Sequence, residues 1–272
     1  MSAPQQDGPL KDRLYPVVIR AALVMFRALR MTLRVEGAEK VPATGGVVLA
    51  SNHISYLDFI FAGFAPWKGR RRLTRFMAKD GVFRDKVGGP LMRGMHHIPV
   101  DRESGTASFR TALKYLKAGE VVGVFPEATI SQSFTVKELK SGAVRMAAAA
   151  KAPIVPVALW GTQRLWTKGH PRRFLRGQTI TILVGDPIHV GTRDDMDART
   201  EELRAALQAL LDRAQAGHPS LSDAGPHAWW LPAHLGGSAP TPEEAAALDA
   251  AESQARRDKR DAAAVPDPTP EA

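Results

Sequence analysis

Short apolar runs rich in β-branched residues alternate along the chain with longer stretches of helical period. An apolar run of about four to eight residues between turn residues predicts a buried strand, and apolar positions repeating every three to four residues predict a helix. We predict strands at Val47–Ser51, His97–Val100, Val121–Phe125, Ile154–Leu159 and Thr179–Val184. Helices are predicted at Thr106–Ala118, Val136–Lys151 and Met196–Gln215.

Strands that alternate with helices favour an α/β fold, with a mainly parallel central sheet flanked by helices. In such a sheet, ligands bind beyond the carboxyl ends of the strands. Polar residues that directly follow a predicted strand are therefore the first candidates for chemistry.

The segment from Leu14 to Arg34 predicts a further helix, with one basic and one apolar side. The basic side carries Arg13, Arg20, Arg27, Arg30 and Arg34, and the apolar side carries Leu14, Val18, Met25, Phe26, Leu29 and Leu33. A helix lying in a membrane interface has these two sides, and so does a helix packed on a domain. Both interpretations stay open, and we predict that residues 1–35 form an amphipathic helix at a membrane interface.

The pattern changes again after the last long helix. We assign residues 36–216 to the main domain and 217–272 to an Ala/Pro-rich extension that is partly disordered. Within it, Thr241 to Ala264 can form a helix that begins with a Thr-Pro-Glu-Glu cap. The pair Trp229-Trp230 is the expected last anchor of the extension.

Composition narrows the possible chemistry. The 272 residues include no cysteine, which excludes thiolate catalysis and disulfides. We expect no transmembrane helix, because no apolar run approaches about 20 residues, and no secretory signal, because the amino terminus is polar. The net charge of +9 favours an anionic partner such as nucleic acid, anionic lipid or a phosphorylated molecule.

Two basic clusters, Trp67–Lys79 and Arg164–Gly177, interleave aromatic residues with lysine and arginine. This composition is typical of a membrane-interface belt, and it also suits the phosphates of coenzyme A. No helix-turn-helix, zinc-finger or RNA-binding motif accompanies it, so we do not expect a nucleic-acid partner.

The stretch SNHISYLD follows the first predicted strand and contains His53 and Asp58. Ser55 and Asp58 have the spacing of a helix capping box, which explains both residues without catalysis. Capping does not explain a histidine at the carboxyl end of a strand. A carboxylate one helical turn away can fix the tautomer of His53, which would then act as a general base.

Two further stretches place charged residues after strands. VVGVFPEATIS puts Glu127 beyond a strand, where it either faces the ligand crevice or begins the next helix. HHIPVDRES ends with Arg102, which suits either a surface ion pair or a phosphate. The adjacent His96 and His97 would point to opposite sides of a strand, so we predict no metal site.

Together these stretches resemble the lysophospholipid acyltransferases, the family that includes 1-acylglycerol-3-phosphate acyltransferase. The matches are N-H-x-S-x-x-D from Asn52 to Asp58, I-P-V-D-R ending at Arg102, F-P-E-A-T-I-S from Phe125 to Ser131, a V-P-V strand, and Lys140-x-Gly142-Ala143. The first four of these are motifs in the family order, with the lysine-glycine-alanine segment in addition, and together, over roughly Val35 to His189, they are more specific than any one of them.

The resemblance implies acyl transfer without an acyl-enzyme. His53 is the implied base, oriented by Asp58, and the implied substrate-binding residues are Arg102, Glu127, Thr129, Ser131 and Lys140. The donor would be an acyl-CoA or acyl carrier protein thioester, with no other cofactor, and the acceptor a lysophospholipid. We further expect peripheral attachment to an anionic membrane surface, on the cytoplasmic face of the cell membrane.

Two residues depart from the family motif. Ala128 replaces a glycine, which is a modest change if the backbone there avoids positive φ. Ile130 replaces an arginine, and Arg102, Lys137 or Lys140 are candidates to supply the missing cation. The departure at Ile130 leaves open another acceptor, such as a glycolipid. A catalytically inactive lipid-binding protein is the remaining alternative.

Overall fold

The computed structural model describes residues 12–101, 105–222, 224–225 and 227–264. Its contacts divide the chain into two compact units. The larger unit comprises the described residues up to Ile130 and those from Val136 to Ser222, and the second comprises Ser131–Thr135 and the described residues from Ala224 onwards.

Within the described residues of the larger unit, seven strands form one sheet in the order β1-β7-β6-β2-β5-β3-β4. The strands are β1 Thr32–Glu36, β2 Val47–Ser51, β3 Thr74–Lys79, β4 Ile98–Val100, β5 Val121–Val124, β6 Ile154–Trp160 and β7 Thr179–Val184. All neighbouring strands are parallel except β6 and β7, which are antiparallel. The predicted mainly parallel α/β fold is confirmed.

The helices of the larger unit are α1 Leu14–Ala28, α2 Asp58–Arg70, α3 Asp80–Arg84, α4 Gly88–Gly94, α5 Gly105–Lys117, α6 Gly142–Ala150 and α7 Met196–Ala216. The second unit contains α8, Pro242–Ala264. There the predicted cap is confirmed, because the Thr241 amide donates to the Glu244 carboxylate and the Glu244 amide donates to the Thr241 hydroxyl. None of the described helices is both long and apolar enough to cross a bilayer.

The central strands β6, β2 and β5 are buried at every residue. Parallel strands covered on both faces have continuous apolar sequences rather than alternating ones. The apolar runs of β2, β5 and β6 therefore predict these strands. The core is completed by α2, whose Phe61 and Ala65 pack with Leu49 and Val157 of the sheet.

The predicted elements differ from the structure in two helix boundaries and in two strands, β1 and β3, that were not predicted. The first helix ends at Ala28, not at Arg34, because Arg30 adopts a left-handed φ of 51° and Thr32–Glu36 pairs with β7. Strand β3 was not predicted, because its sequence TRFMAK places three polar residues among three apolar ones within a basic cluster. Helix α6 begins at Gly142 rather than at Val136.

Helix α1 packs on the domain through Tyr15, Ile19 and Phe26, which are buried in the core cluster. Its exposed side is mixed, because Val17 and Val24, which are 56% and 70% exposed, alternate with arginines 13, 20 and 27. Helix α1 is therefore packed on the domain, and contact of its exposed side with a membrane stays a prediction.

Asp12, two residues before α1, belongs to a buried charge cluster. Arg75 of β3 is 1% exposed, and its guanidinium donates to Asp12 (2.8 Å), to Glu120 (3.3 Å) and to the Met95 carbonyl (3.1 Å). Both carboxylates are nearly buried as well. Removing one member of a buried ion cluster leaves its partners desolvated and unpaired.

We therefore expect Arg75→Met to lower the free energy of unfolding by about 3–5 kcal/mol. Chemical denaturation of the two proteins measures this difference. Arg84→Met is the matched control, since Arg84 pairs with Asp80 while 80% exposed and should change stability by less than about 1 kcal/mol. Equal effects of the two substitutions would contradict a structural role for the buried cluster.

Candidate active site

Two predicted site residues, His53 and Glu127, and a third residue that was not predicted, Thr162, follow three adjacent strands of the sheet. β2 leads to His53, β5 leads to Glu127, and β6 leads to Thr162. Because β6, β2 and β5 are neighbours and parallel, their carboxyl ends meet at one edge.

Asn52 fixes the end of β2 against β6. Its side-chain amide donates to the Leu159 carbonyl (3.1 Å), and its side-chain oxygen accepts from the Leu159 amide (2.7 Å). The side chain thus takes the place of a backbone unit in the ladder between the two strands. Asn52 of the family motif therefore has a structural role in the sheet.

Asp58 is fully buried, and both of its carboxylate oxygens are hydrogen-bonded. Oδ2 accepts from the amides of Ile54 and Ser55, each at 2.7 Å, and Oδ1 accepts from the Thr162 hydroxyl at 2.6 Å. His53 Nδ1 lies 3.0 Å from Oδ2. A buried carboxylate needs such a set of donors to offset the loss of hydration.

This arrangement sets the tautomer of His53. Because Oδ2 already accepts from two amides, it acts as an acceptor toward His53 Nδ1 as well. Nδ1 then carries the proton, and the lone pair of Nε2 is the basic position of the ring. The ring stacks on Phe125 with centroids 4.3 Å apart, and its side chain is 20% exposed.

The capping interpretation of Ser55 is only partly correct. Helix α2 begins at Asp58, and no side chain caps it. Asp58 does accept from the Ser55 amide as in a capping box, but the Ser55 hydroxyl accepts from Leu57 two residues on and donates to the Trp166 carbonyl. These residues therefore form a tight turn before the helix.

Glu127 is buried and connects two segments through its carboxyl group. Oε1 accepts from the His53 amide (2.8 Å), and Oε2 accepts from the Lys137 amide (3.1 Å). Burial raises the pKa of this carboxyl to about 8, although the two amide bonds act in the opposite direction. Glu127 thus holds the backbone amide of His53, and its predicted role in substrate binding stays a prediction.

Three of the other predicted binding residues, Thr129, Ser131 and Lys140, lie on the segment that follows Glu127, where the Lys140 amide donates to the Pro126 carbonyl (2.9 Å). The Lys137 ammonium donates to the Thr129 hydroxyl, and Lys140 is exposed. Ser131 belongs to the second unit, where its hydroxyl donates to the Thr135 carbonyl (2.7 Å). Arg102 lies outside the described residues. The substrate-binding roles of these residues stay predictions.

A segment that sequence reasoning missed completes the surroundings of His53. The Trp166 carbonyl accepts from the Ser55 hydroxyl (2.7 Å) and the Tyr56 amide (3.1 Å), and the Thr167 hydroxyl donates to the Ile54 carbonyl (2.7 Å). The separation of more than 100 residues gives no local signal for these contacts. The only signal in the sequence is the aromatic and basic composition of Arg164–Gly177.

An apolar cavity lies between α1, α2 and β3. Its lining includes Ile19 of α1, Ile60 and Trp67 of α2, and His97. His97 Nδ1 accepts from the Phe76 amide, and burial lowers the pKa of His97 to about 3, so this ring stays neutral. Among the described residues, no group of three or more His, Asp or Glu side chains is placed to hold a metal ion.

The two departures from the family motif have different structural consequences. Ala128 has a φ of 62°, in the left-handed region that disfavours any residue with a Cβ atom. The replacement of the family glycine by alanine is therefore not a modest change, because the alanine is strained. Ile130 is buried, with 3% of its surface exposed. The position that should carry a cation is therefore part of the interior.

Ala128→Gly should raise the free energy of unfolding by about 0.5–1 kcal/mol, because glycine adopts positive φ without the clash of a Cβ atom. Ala149→Gly is the control, since Ala149 is exposed within α6 and its replacement should cost about 1 kcal/mol. Denaturant titration of the three proteins measures both changes. Destabilisation by both substitutions would contradict strain at Ala128.

Comparisons with known proteins identify the family of the chain. Residues 32–160 match the family model described as Acyltransferase. The chain is 33% identical over 198 residues to the 1-acyl-sn-glycerol-3-phosphate acyltransferase of Bacillus subtilis, covering 71% of this chain and 91% of that protein. It is 29% identical to the chloroplastic 1-acyl-sn-glycerol-3-phosphate acyltransferase LPAT1 of Arabidopsis thaliana, covering 66% of this chain and 49% of that one.

The fold also has a solved counterpart. The crystal structure of the 1-acyl-sn-glycerophosphate (LPA) acyltransferase from Thermotoga maritima superposes with a TM-score of 0.62 at 21% identity, covering 74% of this chain and 79% of that one. At this identity the similarity shows the fold alone. Taken with the sequence relatives, the resemblance stated from the four motifs is confirmed, and the chain belongs to the acyltransferase family.

Proposed function

We propose that this protein transfers a fatty acyl group from a thioester donor to the free hydroxyl of 1-acylglycerol-3-phosphate in phospholipid synthesis. The observation that carries the proposal is the His53–Asp58 pair, in which a fully buried carboxylate fixes the histidine tautomer. The relatives named 1-acyl-sn-glycerol-3-phosphate acyltransferases support the same reaction class.

The reaction follows from the chemistry of the pair. His53 Nε2 takes the proton of the acceptor hydroxyl while the oxygen attacks the thioester carbonyl. The carbon–sulfur bond then breaks, and the imidazolium returns the proton to the leaving thiolate. Asp58 stabilises the imidazolium between these steps. No enzyme nucleophile is needed, because the thioester is already activated.

Glu127 and the turn around Ser55 support the base rather than react. The bond from the His53 amide to Glu127 and the bonds from Ile54 and Ser55 to Asp58 hold the backbone on both sides of the ring. Positioning of this kind supplies much of the rate enhancement when two substrates must meet.

The apolar cavity is the proposed site of an acyl chain. It includes Phe59, the residue after Asp58, and a series of ring contacts leads from His53 through Phe125 and Phe76 to His97. A cavity with an apolar lining favours a hydrocarbon chain over a polar ligand. The cavity lies next to the turn between His53 and Asp58, which suits an acyl chain whose thioester carbonyl lies at His53.

The exposed side of α1 is the proposed contact with the membrane. Val17 and Val24 can enter the acyl boundary while the neighbouring arginines meet lipid phosphates. The protein would then be peripheral, on the cytoplasmic face of the cell membrane, where it meets its lipid acceptor.

Ile130 gives a specific reason to consider an acceptor other than 1-acylglycerol-3-phosphate. Ile130 removes the family cation, which favours testing acceptors with larger headgroups and glycolipids beside 1-acylglycerol-3-phosphate. An inactive lipid-binding protein is a weaker alternative, because lipid binding alone does not require a base with a buried orienting carboxylate.

His53→Ala should reduce acyl transfer by about 10²–10⁴-fold, because the acceptor hydroxyl loses its general base. Thiol release from acyl-CoA measures turnover, with 1-acylglycerol-3-phosphate, other lysophospholipids and glycolipids as acceptors. His189→Ala is the control, since His189 is exposed. Near-normal turnover by His53→Ala would reject the base, and a wild-type preference for glycolipids would reject the proposed acceptor.

Val24→Asp should weaken membrane association, because a carboxylate in the exposed strip of α1 opposes both apolar insertion and anionic lipid. Flotation with phosphatidylglycerol vesicles at low and high salt measures this. Leu248→Asp on α8, where Leu248 is 45% exposed, is the control. Point substitutions are required because removal of residues 1–35 would delete buried Tyr15 and Phe26 together with β1. Equal flotation of the two variants would reject α1 as the membrane contact.

A further inference from the structure

The buried position of Ile130 raises the question of which cation meets a substrate phosphate. The Lys137 ammonium already bonds to Thr129. The basic cluster Arg164–Gly177 lies beyond residue 160, where the match to the family model ends. Trp166 and Thr167 of this cluster nevertheless contact the turn between His53 and Asp58.

Three hydrogen bonds attach Trp166 and Thr167 to the residues between His53 and Asp58. They involve the backbone or side chain of Ile54, Ser55 and Tyr56. Thr162, at the start of the same segment, bonds to the Asp58 carboxylate. The segment after β6 is thus held by the same turn that holds the catalytic base.

The Trp166 ring contacts both Tyr56, whose ring is tilted by 42° from it, and Arg172. The Trp166 ring lies 4.7 Å from the Tyr56 ring, and the Arg172 guanidinium carbon lies 3.9 Å from the Trp166 ring centroid. The Arg173 amide donates to the Leu165 carbonyl (2.7 Å), which fixes the backbone next to Arg172.

Stacking leaves the charge of Arg172 available for a ligand. A guanidinium at this distance from an indole ring is held by the ring's quadrupole, while N–H groups at its edge can still donate. Arg172 is exposed and forms no ion pair with the part of the chain that the structure describes. An oriented guanidinium with free edge donors is well suited to bind a phosphate with two hydrogen bonds.

We propose that Arg172, oriented by Trp166, binds a phosphate group of a substrate of the reaction at His53. The proposal rests on the proposed function, and it assigns to the segment after β6 the cation that Ile130 does not supply. The phosphate belongs either to the acceptor, as the phosphomonoester of 1-acylglycerol-3-phosphate, or to coenzyme A in the donor.

Steady-state kinetics of Arg172→Gln tests the proposal and separates the two sources. The KM for the substrate that carries the bound phosphate should rise about tenfold or more, because a charged hydrogen bond is lost, while kcat changes little. Replacing 1-acylglycerol-3-phosphate by monoacylglycerol removes the acceptor phosphate, and replacing acyl-CoA by acyl-pantetheine removes the donor phosphates. The substitution should have no effect with whichever phosphate-free substrate lacks the recognised group.

Two companion variants make the result specific. Arg176→Gln removes another exposed arginine of the same segment and should leave both KM values unchanged. Trp166→Leu keeps the charge of Arg172 but removes its ring platform, so it should reproduce part of the KM effect. An Arg172→Gln protein with unchanged KM values, or with KM values that rise equally for phosphate-free substrates, would overturn the proposal.

Equilibrium binding separates this proposal from the proposed function. 1-Acylglycerol-3-phosphate and coenzyme A are titrated separately into His53→Ala and into the His53→Ala, Arg172→Gln double variant, so that no turnover occurs. Weaker binding of one ligand to the double variant supports the phosphate site even if the wild-type protein transfers no acyl group. Equal binding of both ligands to the two proteins would overturn the site while the transfer activity stands on its own assay.

Discussion

The site depends on the burial of a single carboxylate, that of Asp58. Its two oxygens accept from two amides of the preceding turn, from His53 and from Thr162 beyond β6. A carboxylate without water is unfavourable unless its lone pairs are used, and here they are used by groups from both sides of the site. The hydrogen bonds that offset the desolvation of Asp58 therefore also set the shape of the turn after β2 and the tautomer of His53.

Strand order makes that interaction possible. Because β2 lies between β6 and β5, the turn after β2 can bond in both directions. Asn52 pairs with the backbone of β6, and the His53 amide donates to Glu127 beyond β5. His53 is thus part of a network across three buried strands, and a displacement of any one of them would move its ring.

The sequence predicted the parts of this architecture that rest on local patterns. The buried strands read as continuous apolar runs, and the pairing of His53 with Asp58 followed from spacing and resemblance. The partners of Asn52, Glu127 and Trp166 lie 74 to 111 residues away in the chain, so no local pattern could identify them. β3 was missed for a related reason, because its pairing with β5 and the ion cluster of Arg75 outweigh its polar composition.

The groups that orient His53 are separate from positions 128 and 130, at which the chain departs from the family motif. The groups that hold His53 are backbone amides and buried side chains, and none of them needs the side chain at position 128 or 130. Strain at Ala128 and burial of Ile130 therefore leave the geometry of the base intact. Substrate contacts carried by exposed side chains can change without this constraint. Under the proposed function, recognition of the acceptor can thus shift to another segment while the geometry of His53 stays the same.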